Sequence, residues 1–282
     1  MGIAGEFYAL QRGTAWTGEV IGVNGKKKVL ITGYAGRIGT LIREALSDRY
    51  DLSGIDRVPV PGLDSTVANL TDLDAMLPAF HGQDVVIHLA AEPRHTPDIG
   101  WDLLMPDNVV ATANVFEAAR QKGVGRVIFF SSMHVNGLYE RDHPYSAIAE
   151  GNYEGLKPED VSLVTHEMPV RPDGPYAASK IFGEALGRYY AEEYGITVIC
   201  VRLGTVGRGG RPGDDARSYV SWNSARDLAS MVERCVEVEG ITYDIFYAAS
   251  GNTWKIYDTP RAWRVLGLEP KDNAEDYRPV KR

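Results

Sequence analysis

Residues 27–39 read KKVLITGYAGRIG, an apolar run that passes through three glycines into a helical pattern. The β-branched and aliphatic content of KKVLIT (27–32) predicts a strand. Residues 37–47 place apolar side chains at 38, 41, 42, 45 and 46, the spacing of one helix face. Gly33, Gly36 and Gly39 stand in the turn between the two. Without side chains there, the backbone can approach a pyrophosphate, whose charge then meets the free N–H groups at the helix start. Gly33, Gly36, Arg37, Ile38 and Gly39 are therefore the expected phosphate cradle. A second strand, read over 50–55, ends at Asp56, about 20 residues past the middle glycine, where a carboxylate accepts from both ribose hydroxyls. Its charge repels a 2′-phosphate, so NAD is expected over NADP. Arg57, also counted as cofactor-binding, pulls the other way.

The alternation continues outward from this stretch. A helix over 71–80 opens on a Thr-Asp cap, and DVVIHLA (84–90) reads as a third strand. A long helical pattern covers 101–122, GRVIFFSS (125–132) is a fourth strand, 176–194 is helical and ITVICVRL (196–203) is again a strand. Near-continuous apolar strands separated by helices imply a parallel sheet covered on both faces. The expected fold class is α/β, a Rossmann-type doubly wound parallel sheet spanning 26–203. Past residue 204 the alternation weakens. Turn-rich RGGRPGDD (208–215), helices near 224–238 and 258–266 and a strand near 243–248 predict a small C-terminal substrate-binding lobe over 204–282. Residues 137–173 hold Gly, Pro and charge with little periodicity, which predicts either a functional loop or a solvated excursion. Residues 1–25 lack a basic start followed by an apolar block, so they read as an arm outside the fold rather than a secretory leader.

Composition narrows the function. The 282 residues are 44% apolar and 24% charged with a net charge of −8, ordinary for a globular enzyme and unlike a disordered or coiled-coil chain. An acidic balance disfavours nucleic acid as a partner. No apolar run approaches the ~18 residues of a membrane span. Cys200 and Cys235 have neither metal spacing nor a disulfide framework, so a reducing cytoplasm is the expected setting.

The chemistry is read from a few side chains. Tyr176 and Lys180 are four residues apart and share a helix face. A phenol, with a pKa near ~10, is a poor base until a neighbouring ammonium favours the phenolate. Ser132, ending the fourth strand, can hold the reacting oxygen. The six histidines (81, 88, 95, 134, 143, 166) form no i, i+4 pair or carboxylate set, so no metal is expected. His88 reads as a satisfied core residue, whereas His134, two residues after Ser132, is placed to face substrate.

The glycines spaced G-x-x-G-x-x-G, Asp56, the serine pair Ser131-Ser132 and Tyr176-Ala177-Ala178-Ser179-Lys180 occur in the order of the extended short-chain dehydrogenase/reductase superfamily. The chain resembles that superfamily over about 27–270. The resemblance implies Ser132, Tyr176 and Lys180 as catalytic residues, with Lys180 also reaching the nicotinamide ribose. It places Asn69-Leu70 by the adenine, where the family usually has Asp-Leu, and Leu89, Ala90 and Ala91 along the cofactor path. It also implies a homodimer formed through the helices near 101–122 and 176–194.

Three local stretches look like uronate dehydrogenases, which oxidise the anomeric carbon of a hexuronate to a lactone with NAD. They are Ser131-Ser132-Met133-His134, Arg171-Pro172-Asp173-Gly174 and Lys271-Asp272-Asn273-Ala274-Glu275. By this likeness Arg217, five residues before Trp222, holds the substrate carboxylate, Thr205 replaces a substrate-contacting Ser, and Met133 and His134 border the sugar. Met133 stands where those enzymes have Asn and cannot make its hydrogen bonds. The His88-to-Trp101 segment, with Glu92-Pro93-Arg94, is longer and more like related glucose-6-phosphate and aldose dehydrogenases. Arg94 is thereby drawn in as a ligand for an anionic sugar, and Arg208 and Arg211 are further candidates. The expected function is an NAD-dependent sugar C1 dehydrogenase acting on a hexuronate, a free aldose or an aldose phosphate. A nucleotide-sugar epimerase or dehydratase remains an alternative, although Asn136-Gly137 replaces its usual Tyr-Gly. A non-catalytic NAD-sensing regulator is a third; such proteins often lose the Tyr or Lys that this chain keeps.

Overall fold

In β1 (Lys28–Thr32) successive side chains point to opposite faces, so Val29 and Ile31 enter one apolar layer and Leu30 the other. The same alternation recurs along the sheet in the computed structural model, which describes residues 25–96 and 98–278. The remaining elements are α1 (Arg37–Leu46), β2 (Asp51–Asp56), β3 (Ser65–Val67), α2 (Leu73–Met76), β4 (Val85–His88), α3 (Trp101–Leu104), α4 (Ala111–Lys122), β5 (Arg126–Ser132), α5 (Tyr145–Glu150), α6 (Pro175–Tyr194), β6 (Thr197–Leu203), α7 (Ala216–Ser221), α8 (Ala225–Glu237), β7 (Tyr243–Ala248) and α9 (Thr259–Leu266). The strands form one seven-stranded sheet, order β3-β2-β1-β4-β5-β6-β7, with every pairing parallel. Ile42 and Leu46 of α1, Leu228 and Val232 of α8 and Leu266 of α9 close one face. Val115 and Phe116 of α4 with Tyr190 and Ala191 of α6 close the other. This is the doubly wound sheet expected. Strand order reverses between β1 and β4, so the connections leaving their C-terminal ends diverge and open a crevice there.

Three features differ from the sequence reading. β3 has only three residues at the sheet edge, the part-exposed Ser65 and Thr66 and the exposed Val67, too few and too wet to show as an apolar run. The long helix over 101–122 is α3, a π-turn over Met105–Val110, and α4; the wide turn takes up Pro106, which has no N–H to donate. The stretch past residue 204 does not stand apart as a lobe. β7 pairs with β6 along its whole length, and α8 packs on α1 in the same apolar layer, so these elements belong to the sheet and its cover. The weakened periodicity there reflects an edge strand covered unevenly by its neighbours.

The excursion over 137–173 is structured. A 3₁₀ segment Met133–Arg141 leads into α5, and Met133, Tyr139, Ile148 and Val164 share an apolar cluster with Val220, Tyr247, Ile256 and Tyr257. Val164 also bridges Tyr257. The lobe over the C-terminal ends of the strands is thus built from both stretches.

α6 lies unusually close to the sheet. A Cβ at Gly183 would stand 2.2 Å from the Phe129 ring, so any larger residue would push α6 off β5. Overpacking of this kind costs ~1–3 kcal/mol, and here it would also displace Tyr176 and Lys180. The expectations for residues 1–24 fall outside the described residues. Among the described residues, no helix is long and apolar enough to cross a membrane. Cys200 and Cys235 are both free and buried.

Candidate active site

The turn after β1 is shaped by what it excludes. Gly33 has φ +72°, and a Cβ on it would lie 2.9 Å from the Ala90 nitrogen; one on Gly39 would lie 2.3 Å from the Gly33 carbonyl oxygen. The backbone therefore folds tightly against the segment after β4 and leaves α1's first N–H groups facing the crevice. Asp56 ends β2 with Oδ2 accepting from the Ala35 N–H at 3.0 Å, which ties the carboxylate to the glycine turn. Gly33, Gly36, Ile38, Gly39, Asp56, Asn69, Leu70, Leu89, Ala90, Ala91 and Ala111 line a crevice of about 300 Å³. A dinucleotide fits this donor set: bare N–H groups for phosphate, a fixed carboxylate for ribose hydroxyls and an apolar slot for a base. Arg57 borders the crevice but is turned to Asp107 at 3.1 Å. Arg37 lines it too, its guanidinium donating to the Val206 carbonyl. Asn69 accepts from the Thr71 N–H at 3.1 Å, which fixes the turn below the base slot.

At the other end of the crevice, β5 and α6 bring the chemical residues together. Ser132, Tyr176 and Lys180 line a second cavity of about 260 Å³ that shares Arg37, Ile38, Leu89, Ala91 and Pro93 with the first. The Ser132 Oγ accepts from the His134 N–H at 3.2 Å, which leaves its own proton to donate. Lys180 is buried and donates from Nζ to the Phe130 carbonyl at 2.9 Å, 5.8 Å from the Tyr176 ring centre. Burial draws the lysine down to about 8. Burial also pushes the Tyr176 phenol up to about 12, with the Ser132 hydroxyl opposing and the Asp173 charge adding to the rise. The phenol therefore holds its proton unless a neighbouring cation offsets its burial, and the Lys180 ammonium is the cation that stands near it.

The wall of this cavity is one-sided in charge. Arg37, His95, His134, Lys180 and Arg217 line it, and among the described residues no Asp or Glu does. The carboxylates stand behind. Asp173 meets the His134 Nδ1 at 2.6 Å, and Glu140 accepts from Arg217 Nε at 2.5 Å and from the Tyr257 hydroxyl at 2.7 Å. Holding Arg217 by Nε leaves its two terminal nitrogens for a ligand. Thr205 lines the cavity with its hydroxyl 3.0 Å from that of Ser221, and Met133 presents a buried apolar side chain.

Residues 29–238 match the family model described as NAD dependent epimerase/dehydratase family. The chain belongs to the NAD dependent epimerase/dehydratase family. It is 36% identical to an NAD-dependent glucose-6-phosphate dehydrogenase of Haloferax volcanii, over 88% of this chain and 95% of that protein. It is 34% identical to an L-arabinose 1-dehydrogenase (NAD(P)(+)) of the same organism, over 88% and 97%. A solved uronate dehydrogenase structure from Agrobacterium tumefaciens, complexed with NAD, superposes with a TM-score of 0.73 at 28% identity, covering 89% of this chain and 87% of that one.

Within this epimerase/dehydratase architecture, one expected ligand is displaced. Arg94 points away from the cavity into a two-nitrogen pair with Glu92 at 2.8 Å, and His95, its neighbour, lines the cavity instead. Arg208 lies on a separate groove between α1 and α8. His88 is the core residue expected: its ring bonds Thr32 at 2.8 Å and Thr112 at 3.1 Å, and burial pulls it down to about 3. Among the described residues, no three His, Cys, Asp or Glu side chains are grouped to hold a metal ion.

Behind the site lies a brace that the sequence reading missed. Arg202 of β6 grips Glu184 of α6 at 2.8 and 2.7 Å, Ser131 donates to Glu184 at 2.6 Å, and the Tyr247 hydroxyl accepts from Arg202 at 2.8 Å and from Asn136 at 2.7 Å. The pair is almost wholly buried, so losing one partner would leave a charge in an apolar setting. Glu184 follows Lys180 by one turn, and the spacing 176, 180, 184 was a signal that could have found it.

Proposed function

We propose that this protein is an NAD-dependent dehydrogenase that oxidises the anomeric carbon of an anionic sugar, a hexuronate or an aldose phosphate, to its lactone. The observation that carries the reading is the cavity where Ser132, Tyr176 and Lys180 meet Arg217, with no carboxylate in the lining among the described residues. NAD, when bound, supplies the hydride acceptor. The chain's own residues handle the proton and the oxygen. Tyr176 takes the proton of the C1 hydroxyl, Ser132 donates to the same oxygen, and the Lys180 ammonium stabilises the phenolate. Arg217 holds the anionic end, and His134, fixed by Asp173, borders the ring. A panel of sugars mixed with NAD and scored by initial NADH absorbance tests the reading; turnover of sugar acids or phosphates supports it, and silence on all of them refutes it.

The preference for NAD over NADP is assigned to Asp56. A 2′-phosphate would meet this carboxylate, and Arg57 could receive it only by leaving Asp107. Wild-type kcat/KM is expected to favour NAD strongly, and Asp56→Ala to narrow that gap by about tenfold or more. Equal values for the two cofactors in the wild type would refute the assignment.

We also propose a homodimer through the outer faces of α3, α4 and α6. Trp101, Leu103, Met105, Val110, Tyr189 and Tyr194 are large apolar side chains left exposed along these helices. Light scattering should return the mass of two chains, and a monomer would overturn the assignment.

A further inference from the structure

His95 is loosely held in the cavity wall. It lies on the segment between β4 and α3, two residues past Pro93, and lines the cavity with Arg217 and His134. Its Nδ1 reaches only the Pro93 carbonyl at 3.4 Å, too long for a good hydrogen bond. Its Nε2 has no partner among the described residues. The ring packs against that of His134 at a tilt of 32°, with centres 4.4 Å apart, and lies 6.2 Å from the Tyr176 ring. His134 is anchored by Asp173 and so serves as a fixed platform under a ring free to meet a ligand.

We propose that His95 determines the charge specificity of the site: together with Arg217 it binds the anionic group of the substrate, and it takes up a proton as that group arrives. This rests on the sugar dehydrogenase reading above. The groups acting on His95 come from three directions. They are His134 and Asp173 from the segments after β5 and before α6, Tyr176 from α6, and Arg217 from α7. Burial, His134 and Arg217 hold the imidazole below its ordinary range, while the Pro93 carbonyl and Asp173 act in the opposite sense. The imidazole is therefore neutral near neutral pH when the cavity is empty. An anion placed against it favours the imidazolium and raises its pKa. Between the free and the bound pKa, binding consumes a proton, so affinity for an anionic sugar falls as pH rises, by up to about tenfold per unit. A neutral sugar has no such slope. A phosphate dianion gains more from a second cation than a carboxylate does, so His95 biases the site toward sugar phosphates.

The test compares glucose 6-phosphate, glucuronate and glucose on the wild type, His95→Gln and Arg217→Ala, with thermal melting to verify folding. His95→Gln is expected to lower the anionic-to-neutral ratio of kcat/KM by about tenfold. It should also erase the fall in glucuronate affinity with pH, read as binding to the NADH-loaded protein from about pH 6 to 7.5, where the carboxylate stays ionised and Lys180 stays charged. Calorimetry of glucuronate binding to the NADH-loaded protein, in two buffers of different ionisation heat, counts the proton taken up even without turnover. Failure of every sugar to be oxidised would sink the dehydrogenase reading. An unchanged ratio, a retained slope or zero proton uptake would overturn the role of His95.

Discussion

Tyr176→Phe is expected to lower kcat by roughly 10²–10⁴-fold while leaving NAD affinity within about threefold. The substitution deletes one hydroxyl from a half-buried ring. Among the described residues that hydroxyl is the candidate base beside Ser132: His134 is committed through Nδ1 to Asp173, the His95 ring centre lies 6.2 Å from the Tyr176 ring, and no Asp or Glu lines the cavity. The phenol starts high, at about 12, for want of solvent, and the Lys180 ammonium is the fixed charge that can bring it down. Lys180→Met should therefore also lose most activity, with the remaining rate climbing as pH rises, since hydroxide must then do what the ammonium did. Turnover numbers and NAD titrations by fluorescence decide the matter. Retention of more than about a tenth of kcat by Tyr176→Phe would mean the proton leaves by another route.

Arg217→Ala should cost kcat/KM on an anionic sugar about 30- to several-thousand-fold, the ~2–5 kcal/mol expected for truncating one side of a desolvated charge pair. Most of the loss should appear in KM, because the contact lies away from the reacting carbon. Glu140 gives this residue its geometry: by accepting from Nε it turns the terminal nitrogens toward the cavity. Arg217→Lys should recover only part of the loss, having charge without the planar fork. Steady-state kinetics on a charged and a neutral sugar supply the control. Equal losses on both would show that Arg217 merely props the lobe through Glu140 and Tyr257.

Much of this was legible in the sequence because the physics was local. The strands of the central sheet are buried on both faces, so their apolar runs are continuous and easy to see. The glycine turn, Asp56, and the Tyr176-to-Lys180 spacing each depend on neighbours within one element or one crossover. What escaped was set by distance along the chain. β3 exists only because β2 offers it an edge. His134 and Asp173 are 39 residues apart and meet only when the excursion folds back. The exchange of Arg94 for His95 is the plainest case. On a segment without periodicity, nothing in the sequence says which of two adjacent side chains turns inward, and the Glu92 carboxylate captured the arginine.

The order of the strands bears on how the chain is made. β1 is the first of the strands to emerge and takes an interior place; β2 and β3 then extend one flank, and β4, β5, β6 and β7 are laid down on the other in the order of synthesis. Each new strand meets a neighbour already complete, and none must wait for a later one. A nascent chain on the ribosome can therefore grow its sheet outward in step with translation, without storing an unpaired apolar strand for long. Refolding from denaturant has no such schedule. All seven strands compete at once for parallel partners, and the cost of closing long loops falls on the whole chain.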